Sequence, residues 1–98
     1  MSINLPQTAR EAVDRIAVKL SQDDKTNIAE VASNDLFILH YDLGKFIRQE
    51  AGLWRDNVPL LIDCQRIKEG SAPDQPTINP DDASMAIIEA LWRRLRDQ

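Results

Sequence analysis

Cysteine, histidine and glycine are scarce in this chain of 98 residues: Cys64 and His40 stand alone, and the three glycines are isolated at 44, 52 and 70. A lone cysteine forms no internal disulfide and agrees with a reducing compartment. One histidine, one cysteine and scattered carboxylates outside any known loop pattern supply no metal site. Isolated glycines build no phosphate-cradling loop. No spacing of Ser, Cys or carboxylate marks a nucleophile with its base, so no cofactor is expected and an enzyme is not the favoured reading. Positive charge is also in deficit, with twelve Lys plus Arg against sixteen Asp plus Glu, a formal net charge of −4 and a sequence pI near 4.8. Nonspecific nucleic-acid and anionic-membrane binding draw on the opposite excess, so a basic protein partner fits better. Long apolar runs are missing too: those at 36–39 and 58–62 fall far below the ~20 residues a bilayer needs. The opening Met-Ser-Ile-Asn-Leu-Pro has neither the basic stretch nor the apolar run of a signal peptide, which makes the cytoplasm the expected compartment.

What is present suits one helical domain spanning residues 1–98. Apolar residues make up 43% and charged residues 29%, enough to fill and coat a core without disulfide or metal. After an N-terminal arm at residues 1–7, Thr8 caps a first helix, with Glu11 as capping-box partner and Ala9, Ala12, Val13, Ile16 and Leu20 at helical spacing. Ser21 caps a shorter helix through Ile28 and Val31, with Asp23 and Asp24 in its first turn. The spacing then predicts a long third helix at about 35–51, capped by Ser33 or Asn34 and closed by Gly52. Leu36, Leu39, His40, Leu43 and Ile47 form one stripe of it, and Phe37, Tyr41 and Gly44 a second beside it, which suggests a central helix. Asn57 is placed to cap a fourth helix with Pro59 in its first turn and Leu60, Leu61, Cys64 and Ile67 on one face, ended by Gly70. Residues 71–79 hold Pro73 and Pro76 and are expected to be a loop. Asn79-Pro80-Asp81-Asp82 is the strongest helix start in the chain, and Ser84, Ile87, Ile88, Leu91 and Leu95 follow as its buried stripe. The expected fold is all-α, a bundle of about five helices whose third and last members form the core.

The series Leu39-His40, Gly44, Ile47-Arg48, Gly52-Leu53-Trp54 and Asn57, then Pro80-Asp81-Asp82-Ala83-Ser84 and Ile87-Ile88-Glu89-Ala90-Leu91-Trp92, resembles a family of small bacterial proteins built on a domain of unknown function. The resemblance spans about residues 5 to 95. It implies a bacterial source and a shared fold, and carries no activity, cofactor or partner with it. The family pattern often has Asn after the Ile-Arg pair and His before Pro-Asp-Asp, where this chain has Gln49 and Asn79.

Five residues are singled out as candidate binding residues. His40, with Tyr41, Asp42 and Arg48 nearby, sketches an acid–base site, since an imidazole titrates at about pH 6.5. Its place on the apolar stripe favours a core or boundary histidine. Arg48 suits bidentate binding of a carboxylate or phosphate, but a structural ion pair with Asp81 or Asp82 is the commoner outcome. Asp81 and Asp82 are explained by helix capping before any paired-carboxylate chemistry. Trp54 is either an interface anchor or a core plug. Arg93, Arg94 and Arg96 fit a solvated helix end better than a nucleic-acid patch. The leading functional expectation is a non-enzymatic protein-binding module, with an immunity or antitoxin-like inhibitor of a basic partner as its concrete form. Two alternatives stand beside it: a small enzyme or ligand-binding protein with a cleft at His40, Arg48 and Asp81/Asp82, and a structural homodimer.

Overall fold

Asn79 starts the helix around which the molecule is built. In a computed structural model, which describes residues 5–53, 57–70 and 75–97, the Asn79 side chain accepts a hydrogen bond from the Asp82 amide at 2.8 Å, and Pro80 occupies the first turn, where no amide is needed. Five α-helices follow the chain: α1 (Ala9–Lys19), α2 (Gln22–Glu30), α3 (Leu43–Glu50), α4 (Val58–Glu69) and α5 (Pro80–Arg96), with a 3-10 helix (Ser33–His40) before α3. Among the described residues there is no strand, so the fold is all-α. The other five elements all pack on α5, and its Ala83, Ser84, Ile87, Ile88 and Leu91 are shielded from solvent. Ile16 of α1, Ile47 of α3 and Leu60 of α4 meet this stripe in one core. Truncating any of these aliphatic side chains to alanine costs about 2–5 kcal/mol.

The predicted helix at 35–51 is two elements. The 3-10 helix ends at His40, and α3 starts at Leu43 with neither Asp42 nor any other side chain capping it. A 3-10 helix has three residues per turn, so Leu36 and Leu39 fall in one row facing inward, while Phe37 and Tyr41 turn outward at 60% and 77% exposure. Phe37 and Tyr41 of the second stripe therefore lie at the surface, whereas Gly44 is buried, and the central helix is α5.

Three further local expectations are corrected. Asn57 occupies the N-cap position of α4, but its side chain makes no capping bond: it is buried, and its Nδ2 donates to the carbonyls of Pro6 at 2.8 Å and Ala51 at 2.7 Å. It thereby ties the N-terminal arm to the end of α3. Ile67 leaves the α4 face and is half exposed, and Gln65 is buried instead. Glu11 reaches past the Thr8 cap to the Gln7 amide at 2.6 Å, although Thr8 itself accepts from the Glu11 amide. The part of the 71–79 loop that is described is held by Gln65, whose Oε1 accepts from the amides of Thr77 and Ile78.

Gly52 and Gly70 close α3 and α4 with φ of 69° and 78°, a left-handed conformation that glycine adopts without a Cβ clash. Leu5 packs directly over Gly52, where an added Cβ would lie 2.8 Å from its Cδ1. The arm and α3 therefore meet at a residue whose φ favours glycine and over which the Leu5 side chain packs.

Candidate functional site

On α3, Gly44 and Arg48 lie one turn apart and both face α5. A Cβ at Gly44 would stand 3.0 Å from Arg48 Nη1, 3.5 Å from His40 Nδ1 and 3.7 Å from Ser84 Oγ. The glycine thus leaves the space that the guanidinium and imidazole occupy. Arg48 is 9% exposed, and its Nη1 donates to Ser84 Oγ at 3.3 Å and lies 3.4 Å from Asp81 Oδ1. Ser84 in turn donates to the Asp81 carbonyl at 2.8 Å. His40 completes the group: its Nε2 is 4.0 Å from Asp81 Oδ1, its ring meets Tyr41 edge-on, and its buried Nδ1 has no hydrogen-bond partner among the described residues.

Of the five candidate residues, the structure brings His40, Arg48 and Asp81 together. Asp82 is exposed, with its amide engaged by Asn79, and Trp54 lies outside the described residues. The chemistry of the cluster is that of a partly buried ion pair. Ser84 has no solvent exposure and spends its proton on a backbone carbonyl three residues earlier, so it has neither the access nor the base of a nucleophile. Asp81 remains 60% exposed on its side chain, which places the outer edge of the cluster in water.

The arginines of α5 are also engaged. Arg93 pairs with Glu89, Arg94 with Asp14 across to α1, and Arg96 stacks over Trp92 at 4.7 Å. Trp92 donates from its indole nitrogen to the Val31 carbonyl at 2.7 Å and so fastens the end of α2. Among the described residues, no group of three or more His, Cys, Asp and Glu side chains stands close enough to hold a metal ion, and no helix is long and apolar enough to cross a membrane. The buried thiol of Cys64 is pushed up from its ordinary 9.0 to about 12, first by desolvation and then by the neighbouring Asp63 carboxylate, which leaves it protonated and unreactive.

A feature that sequence reasoning missed lies on the opposite flank of α3. Leu20, Ile28, Val31, Leu39, Leu43 and Phe46 line a largely apolar groove of about 470 Å³ between the end of α1, α2, the 3-10 helix and α3, with Asp24, Asn27 and Asp42 among them. The signal was available in the charges. From Ser21 to Asp42 the chain carries Asp23, Asp24, Glu30, Asp35 and Asp42 against Lys25 as the one Lys or Arg, which equals the formal net charge of the whole protein. None of these five carboxylates forms an ion pair with a described residue.

The chain belongs to the family described as domain of unknown function (DUF6794), whose pattern matches residues 5–95. Membership extends over α1 to α5 and includes both the Arg48 cluster and the acidic groove. No curated protein and no solved structure matches the chain.

Proposed function

We propose that this protein is a non-enzymatic protein-binding module that engages a basic partner, in the manner of an immunity or antitoxin-like inhibitor. The observation that carries the reading is the segregation of charge: residues 21–42 hold the full negative balance of the chain, and the remainder is neutral. A surface of one sign attracts a partner of the other and speeds its encounter. Exposed Phe37, Ile38 and Tyr41 lie in the same stretch and offer apolar area to bury once contact is made. The rival ligand-binding or enzymatic reading rests on His40, Arg48 and Asp81. It is disfavoured because Asp81 and Ser84 already engage Arg48 inside the protein.

The test is affinity capture from the source organism with three baits: the native chain, a fourfold charge reversal (Asp23→Lys, Asp24→Lys, Glu30→Lys and Asp42→Lys), and Arg48→Ala. The reading expects basic proteins to be retained by the native chain and by Arg48→Ala, released by added salt and weakened by the charge reversal. Retention that ignores the reversal, or that is lost with Arg48→Ala in a folded chain, would move the function to the Arg48 cluster. A second reading, self-association through Phe37, Ile38 and Tyr41, is supported by their exposure and is read out by sedimentation of the purified chain.

A further inference from the structure

We infer that the apolar groove between α2 and α3 is the docking site for an amphipathic helix of the partner, one that inserts a large apolar side chain flanked by Lys or Arg. The inference rests on the protein-binding reading and assigns that reading a location and a ligand chemistry. The groove's volume of about 470 Å³ falls within the roughly 300–1,000 Å³ of cavities that hold ligands. Its lining by Ile28, Leu39 and Phe46 comes from three different elements, which gives an apolar side chain walls on several sides. Helices bind such grooves through apolar anchors set three or four residues apart, with their polar flanks at the rim.

Charge complementarity selects the flanks. Asp24 comes from α2 and Asp42 from the turn before α3, and both line the groove without an ion-pair partner among the described residues. Lys19, the one cation in the lining, is held by Glu50. An apolar segment with acidic flanks would meet unpaired carboxylates. One with basic flanks pairs with them and leaves no like charges facing across the contact.

The experiment titrates the full chain with a synthetic Leu–Lys amphipathic helical peptide and with its Leu–Glu twin, followed by fluorescence anisotropy and by amide chemical shifts. The Leu–Lys peptide is expected to bind, with shifts concentrated at Ile28, Leu39, Leu43 and Phe46, and the twin is not. Asp24→Lys/Asp42→Lys should weaken binding by about tenfold or more, whereas Asp23→Lys/Glu30→Lys, which makes the same change in net charge away from the groove, should weaken it far less. All four positions are exposed or lie at the surface of helices, and circular dichroism verifies that each variant is folded. Equal losses in the two double variants would overturn the groove while leaving the acidic-surface reading in place. Absence of shifts at the groove residues, equal binding of the Leu–Glu twin, or a second copy of the chain occupying the groove would each overturn the inference. Capture of basic proteins that ignores charge reversal anywhere would overturn the underlying reading instead.

Discussion

Replacing Arg48 with alanine asks whether the buried guanidinium belongs to the scaffold. Its Nη1 is 3.4 Å from Asp81 Oδ1, a separation at which two unit charges attract by about 1 kcal/mol in water and about 5 kcal/mol at an effective dielectric near 20. Asp81 is 60% exposed on its side chain, so the aqueous end of that range governs and the net coupling is about 0.5–1 kcal/mol. The full cost of Arg48→Ala is larger, because the buried methylenes of the stem contribute about 0.8 kcal/mol each and Ser84 loses a charged donor. Together these give about 2–3 kcal/mol of destabilisation. Asp81→Ala should cost about 1 kcal/mol, since it removes the pair and a first-turn carboxylate. Urea denaturation of the two single variants and the double variant at pH 7 should therefore show a double-mutant cycle short of additivity by about 0.5–1 kcal/mol, less at high salt. An unchanged midpoint for Arg48→Ala, or strict additivity with Asp81→Ala, would refute the structural role assigned to the pair.

Asn57→Ala leaves the buried carbonyls of Pro6 and Ala51 without their donor and should destabilise by about 2–4 kcal/mol, read as a lower thermal midpoint. Gly44→Leu should cost about 1–3 kcal/mol through overpacking against Arg48 and His40. Gly44→Ala should change stability far less, since the alanine's higher helix propensity, up to about 1 kcal/mol, offsets the 3.0 Å contact. A neutral Gly44→Leu would place the glycine at a surface. The Cys64 thiol, raised to about 12 by burial, keeps its proton in the folded chain while the unfolded thiol loses it above 9.0. Stability should therefore fall as pH rises from 9.0 toward 12, and Cys64→Ala should flatten that part of the curve while creating a small cavity. A thiol reagent that labels the native chain at pH 8 would contradict this burial.

The start of α5 was readable because Asn79, Pro80 and Asp82 act within one turn, and Ser84, Ile87, Ile88, Leu91 and Leu95 repeat often enough to fix a helical period. The same holds for the Thr8 and Ser21 caps and for the left-handed Gly52 and Gly70. The break between the 3-10 helix and α3 was not readable, because over eight residues a period of three and a period of 3.6 place Leu36 and Leu39 alike. Their difference appears only at His40 and Tyr41, which the α-helical projection set beside the core. Asn57, Asp63 and Gln65 were missed for another reason. Asn57 bonds to Pro6, Asp63 accepts from the Ala9 amide at 2.7 Å and Gln65 holds Thr77, and none of these partners lies within the turn or two that local sequence rules cover. The groove was missed because its walls come from four elements, and no one of them displays it alone.

Amide hydrogen exchange of the full chain, with and without its captured partner, tests most directly whether function lies on the acidic flank or at the Arg48 cluster. Added protection is expected in α2, the 3-10 helix and the first turn of α3, with the Asp81 to Ser84 turn unchanged. Protection confined to that turn and to the neighbourhood of Arg48, with residues 21–42 exchanging as in the isolated chain, would contradict it.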